Sequence, residues 1–219
     1  MPANTRFDEA VVCEGAFYAN SGLTKFRVGR GHKILIYGAS GAIGSAAVQL
    51  AKAYGAEVTA VVATRQLELV KSLGANRAID YTAEDFTRIG ECFDFVLDAV
   101  GKVSFFRCRR LLKPKGTFIA TDLGPWGQNL PLMIWSLITK NNRVLVPLPP
   151  RGSGHAFVEF LKLRMEAGQF HRSSIANIPS TRSPTPTAMW RRGKRSASSW
   201  STSRRPKRAS AQPNSIELV

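Results

Sequence analysis

Ala39-x-Gly41-x-x-Gly44 is the spacing in this sequence with the clearest chemical meaning. Ala39, Ser40, Gly41, Ala42, Ile43 and Gly44 follow an apolar run, Ile34-Leu35-Ile36-Tyr37. After them Ile43, Ala46, Ala47, Leu50 and Ala51 recur at helical spacing. A strand, a glycine turn and a helix in that order leave backbone N–H groups at the helix start free to donate to a phosphate. Here alanine takes the first glycine position of the dinucleotide fingerprint. Gly41 would let a pyrophosphate approach the backbone, and Gly44 would let the helix pack closely on the strand. About 20 positions further on, a carboxylate would hold an adenosine ribose 2′-OH. Residues 59–63 carry none, and Thr64 and Arg65 come next. A hydroxyl and a planar guanidinium suit a 2′-phosphate. These residues predict NADP(H) rather than NAD.

The elements that must hold them follow from periodicity and breakers. A helix is expected over 7–24, then a basic turn over 25–33 with Gly29 and Gly31. The first strand and its helix close at Gly55. A second strand over 58–62 leads to a helix over 64–73, capped at Gly74. A third strand spans 77–80, and a polar helix or turn spans 83–90. A fourth strand over 93–97 runs into Asp98-Ala99-Val100-Gly101. A helix over 104–112, stopped by Pro114 and Gly116, precedes a fifth strand at 117–120. A Gly- and Pro-rich loop follows, then a helix over 132–138, a sixth strand over 143–146 and a last helix over 155–167. Such alternation predicts an α/β fold, a Rossmann-type doubly wound parallel sheet.

Composition excludes other classes. No apolar stretch reaches membrane-spanning length, and the N-terminus has no signal-like apolar segment. A cytoplasmic location is expected. Cys13, Cys92 and Cys108 are odd in number and lack metal-ligand spacing, which speaks against a disulfide framework and a zinc site. His32, His155 and His171 read as surface residues, and Asp98 and Asp122 as capping or solvated carboxylates. No residue earns a catalytic assignment. The net charge of +16 is uneven: residues 1–170 carry +7, and residues 171–219 carry +9. That last stretch is rich in Ser, Arg and Pro and has no apolar period, the composition of a disordered basic tail.

From about Phe7 to Phe170 the chain resembles the medium-chain dehydrogenase/reductase family, most of all its zinc-free quinone-oxidoreductase-like branch. The resemblance rests on Tyr37 to Gly44, Ala46 to Lys52, Gly55-Ala56, Ser72 to Ala75, Ile79-Asp80-Tyr81, Phe93 to Gly101 and Leu112 to Gly116. It implies that Gly41 to Gly44 bind pyrophosphate, with Thr64, Arg65 and Tyr81 around the adenosine phosphate. Val100 and Gly101 would lie beside the cofactor ribose, and Thr121, Asp122 and Leu123 would border the nicotinamide. The implied activity is NADPH-dependent hydride transfer to a small-molecule quinone, enone, aldehyde or ketone. Members carry an N-terminal catalytic domain that this chain largely lacks, so the resemblance also implies a truncated form. Residues 1–30 then read as a helical lead-in, 31–170 as the NADP-binding domain and 171–219 as the tail. Members often dimerise through edge strands, here 143–146. The alternatives are a non-catalytic NADP-binding module and nucleic-acid binding through the basic tail.

The tail itself reads as a frameshift. Around Met189 and Trp190, each with a single codon, moving the frame by one base permits a Val-Glu-x-Gly-Lys turn and a Val-rich closing strand, which resemble the family's ending. The coding DNA decides this: realignment past Phe170 must restore that ending.

Overall fold

A computed structural model of the chain describes residues 13–124, 127–138, 143–146 and 154–171. The chain divides into two compact units, Met1–Asn177 and Ile178–Val219, and every described residue lies in the first. Expectations for residues 7–12 and for the tail beyond residue 171 fall outside the described residues.

Six parallel strands form one sheet: β1 (Lys33–Tyr37), β2 (Glu57–Val62), β3 (Arg77–Asp80), β4 (Phe93–Asp98), β5 (Leu112–Ala120) and β6 (Arg143–Leu145). Their spatial order is β3-β2-β1-β4-β5-β6, so the winding direction reverses between β1 and β4. Parallel strands covered on both faces need apolar residues at every position, and Ile34, Leu35 and Ile36 are all fully buried. Alternate side chains feed two cores. Ile34, Ile36, Val58, Ala60, Leu97 and Ile119 face α1 (Cys13–Lys25), α2 (Ala42–Ala53) and α6 (Gly154–Glu166). Leu35, Val61, Val96, Phe118 and Ala120 face the opposite cluster, with Phe105 and Leu111. The doubly wound fold is therefore as expected from the sequence.

Several boundaries differ from expectation, each for a local reason. The single helix over 64–73 is a 3-10 turn, Thr64–Gln66, followed by α3 (Leu67–Ser72), because Gln66 leaves helical geometry at φ −113° and ψ 1°. Only Phe86–Arg88, a 3-10 turn capped by Asp85, is helical within 83–90. The helix over 104–112 is α4 (Phe105–Cys108) and a 3-10 turn, Arg109–Leu111. Pro114 and Gly116 do not stop it. They lie inside β5, where the register with β4 shifts between Phe93 and Phe95 and Lys115 takes φ +64°. An irregular strand accommodates a proline that a regular ladder excludes. α5 (Asn129–Ile138) starts earlier than expected and holds Pro131 in its first turn, where no N–H is needed. α1 packs directly on α2. A Cβ on Gly15 would lie 2.7 Å from the Ala42 carbonyl oxygen, so glycine permits the close crossing. Beyond α6, Phe170 is buried, and the Gln49 side chain holds His171 through two backbone hydrogen bonds of 2.9 and 2.6 Å. Among the described residues no helix is long and apolar enough to cross a membrane.

Candidate functional site

The carboxyl ends of β3, β2, β1, β4 and β5 carry the predicted site residues along one edge of the sheet, centred on the β1/β4 reversal. In open α/β sheets this is where ligands bind.

At the centre is the turn after β1. Gly38 takes φ +74°, a left-handed conformation that favours glycine. The N–H groups of Gly38 and Ala39 both donate to the Val61 carbonyl, at 3.0 and 3.4 Å, which ties the turn to β2. The turn's left-handed residue is thus Gly38, one position before the alanine of the fingerprint. Ala39 is fully buried, so its contribution is to packing. α2 begins at Ala42 with Gly41 as N-cap and no side-chain cap. Ser45 N–H is the first to bond within the helix, to the Gly41 carbonyl at 2.8 Å. Ala42, Ile43 and Gly44 therefore offer N–H groups with no intrahelical acceptor, at the positive end of the helix dipole. A Cβ on Gly44 would lie 2.2 Å from Gly38 O, whereas one on Gly41 would meet nothing nearer than 3.4 Å. Gly44 serves packing, and Gly41 keeps the approach open. A pyrophosphate fits this cradle.

Beyond β4, Asp98 is 1% exposed. Its Oδ1 accepts from Val100 and Gly101 N–H at 3.1 and 2.9 Å, and its Oδ2 accepts from Val103 N–H at 3.0 Å. Burial raises its pKa despite those bonds. The carboxylate thus fixes the loop that carries Val100 and Gly101. Val100 lies over the glycine turn: a Cβ on Gly38 would come within 2.7 Å of its Cγ1. Gly101, at φ +68°, backs onto Asp122, whose Oδ2 would be 1.9 Å from an added Cβ. Thr121 is held by its N–H and hydroxyl to the Asp98 carbonyl, at 3.2 and 3.1 Å. Asp122 Oδ1 accepts from Gly124 N–H at 2.9 Å, a capping role, and Leu123 is exposed. The structure therefore sets Val100 against the glycine turn, Gly101 against Asp122 and Thr121 on Asp98.

On the other side stand Thr64 and Arg65, both exposed at the β2 tip. Parallel pairing of Val62 with Asp80 brings β3's last residue beside them. Thr64 Oγ1 donates to Asp80 Oδ2. Thr82 donates to Asp80 Oδ1 twice, from Oγ1 at 2.6 Å and from N–H at 2.8 Å. These bonds, the one from Thr64 foremost, hold the Asp80 carboxyl below the usual range. Tyr81 is exposed, with its ring 5.9 Å from that of Tyr37. Tyr37 in turn lies 5.2 Å from Phe86. These rings, Thr82 and Arg107 line a cavity of about 430 Å³.

Sequence reasoning missed Gly38, Asp80 and Thr82. Asp98, expected as a capping or solvated carboxylate, caps the loop N–H groups and is buried rather than solvated. The proximity of Asp80 and Thr82 to Thr64 is a product of strand register and carries no sequence signal.

Among the described residues no three His, Cys, Asp or Glu side chains come together in a set able to hold a metal ion. The described site residues do not offer the ligand set of a zinc ion. A family profile described as zinc-binding dehydrogenase matches residues 42–163. The 2-methylene-furan-3-one reductase of Solanum lycopersicum is 37% identical over 152 residues, 68% of this chain and 38% of that protein. The chloroplastic NADPH-dependent alkenal/one oxidoreductase of Arabidopsis thaliana is 37% identical over 134 residues, 60% of this chain and 33% of that protein. Among solved structures, the quinone oxidoreductase of Pseudomonas syringae pv. Tomato DC3000 superposes with a TM-score of 0.65 at 24% identity, covering 78% of this chain and 57% of that one. An alcohol dehydrogenase superfamily protein from Novosphingobium aromaticivorans gives 0.63 at 26% identity, covering 78% and 54%. The chain spans about two fifths or less of the length of these two curated relatives.

Proposed function

The chain belongs to the zinc-binding dehydrogenase family, within the medium-chain dehydrogenases/reductases, and from that premise we propose that it is an NADP(H)-dependent oxidoreductase acting on a quinone, enone, aldehyde or ketone. The observation that carries the reading is the glycine-bounded, uncapped start of α2 at the β1/β4 reversal, with Val100 closing over it. Ala42, Ile43 and Gly44 N–H groups would hold the pyrophosphate. Arg65 would take the 2′-phosphate, and Tyr81 would flank the adenosine end. Val100 and Gly101, fixed by Asp98, would position the ribose, and Thr121 to Leu123 would border the nicotinamide. When bound, the reduced nicotinamide supplies a hydride from its C4 to an electrophilic carbon of the substrate. The chain's own part is to orient that ring against the end of the sheet. None of its described acids or bases is assigned a proton.

The NADPH-dependent relative of Arabidopsis thaliana supports the choice of NADP(H) over NAD(H), as does the guanidinium at the β2 tip. A cytoplasmic location belongs to the same reading, and cell fractionation tests it. Self-association through the edge strand β6 also belongs to it. Beside that strand α5 exposes Leu130, Ile134 and Trp135 at 54%, 58% and 66%. Size exclusion at micromolar concentration would show an oligomer, and a monomer peak would reject it.

The test of activity is loss of dihydronicotinamide absorbance with a panel of quinones, enones and aldehydes. Turnover with any of them supports the oxidoreductase. Tight NADPH binding without turnover would favour the second reading, a cofactor-binding module, which is suggested by the short span relative to the relatives.

A further inference from the structure

Thr64 and Thr82 stand 3.1 Å apart at the β2 tip, and both hydroxyls donate to the one carboxylate of Asp80. A hydroxyl has a single proton to give. With both protons turned toward Asp80, the outward side of each oxygen offers lone pairs only. A ribose 2′-OH can donate to such an oxygen. A 2′-phosphate, which only accepts, cannot bond to it. The phosphate would add close to two negative charges beside a carboxylate that already carries one. Its remaining attraction at this tip is the Arg65 guanidinium, which makes no ion pair with any described residue.

We propose that Asp80 is a specificity-determining residue of the nucleotide site, which restrains the preference for NADPH over NADH by claiming the Thr64 and Thr82 hydroxyl protons and placing its charge beside the 2′ position. This inference rests on the dinucleotide reading given above. It makes the β2 tip a balance of two groups: Arg65 favours the 2′-phosphate, and Asp80 opposes it. The wild-type chain accordingly binds both cofactors, with NADPH moderately ahead. Hydrogen bonds from both threonines keep the carboxyl ionised well below neutral pH, so the opposition is constant across the working range.

The experiment is fluorescence titration of the full chain with NADPH and with NADH, reported as the ratio of the two dissociation constants. Asp80→Asn removes the charge and releases a hydroxyl proton. It is expected to shift the ratio toward NADPH by about tenfold, the scale of one charge-assisted hydrogen bond. Asp80→Ser, smaller and also uncharged, is expected to shift it the same way and covers the case in which the amide misfolds the turn. Residues 171–219, with a net charge of +9, are common to all variants and drop out of the comparison. A ratio unchanged within about twofold in both variants, with both cofactors still bound, overturns the inference and leaves the dinucleotide reading intact. Failure of the wild-type chain to bind either cofactor overturns that reading, and the inference with it. Arg65→Ala separates the two further: it should weaken NADPH and spare NADH whatever Asp80 does.

Discussion

A methyl group on Gly44 would sit 2.2 Å from the Gly38 oxygen and 2.8 Å from the Ala39 Cα. Neither backbone atom can retreat, because both residues hang from the Val61 carbonyl. Gly44→Ala is therefore expected to cost about 3 kcal/mol in urea unfolding and to abolish NADPH binding. Gly41 makes the useful contrast. Its φ of −71° suits any residue and a Cβ there would make only an ordinary contact with the Gly38 oxygen at 3.4 Å, so Gly41→Ala should keep its stability within about 0.5 kcal/mol while weakening NADPH. Equal instability in the two variants would contradict the division of labour between these glycines. At this scale the sequence was informative where a motif has fixed spacing, as at Ala39 to Gly44. It was silent on Gly38 and Asp80, whose roles depend on a left-handed φ and a neighbouring strand's register, and it gave Asp98 a capping role without the buried loop closure.

The strands were the most legible elements, because strands buried on both faces read as short apolar runs. Helix ends were harder, since caps, 3-10 turns and the irregular start of β5 depend on contacts that no period encodes. The amino ends of the strands show another non-local feature. Lys33 of β1 pairs with Glu91 at 2.6 Å and with Glu57 of β2 at 3.4 Å, and Arg77 of β3 reaches Glu91 at 3.3 Å. Lys113 pairs with Asp94 at 2.8 Å. The hydrogen bond from Lys33 holds the Glu91 carboxyl below its ordinary range. A depressed carboxyl pKa adds stability above the unfolded value, about 4.3 for glutamate, and the contribution is lost as pH falls through the folded value. The partners are partly solvated, so Glu91→Gln should cost only about 1 kcal/mol at neutral pH. The difference from wild type should shrink with added salt and close in acid, as urea midpoints across pH will show. A constant difference down to low pH would contradict the ion-pair account.

The whole molecule is a doubly wound sheet whose order reverses between β1 and β4, with residues from five strand ends gathered along that edge. The alternation of elements made this architecture legible from the sequence, and the family membership agrees with it. What the sequence did not convey was how the edge is assembled: Asp98 pins the β4 loop over the glycine turn, and Asp80 takes the Thr64 and Thr82 hydroxyls at the β2 tip. The chain spans about a third of the length of a relative named as an alkenal/one oxidoreductase. The claim on which everything else depends is that the edge holds a dinucleotide at Gly41 to Gly44. Titrating the chain with NADPH and following nicotinamide fluorescence tests it most directly. The account predicts saturable binding at one site per chain, weakened by Gly41→Ala. Absence of saturable binding, or binding that Gly41→Ala leaves untouched, would contradict it.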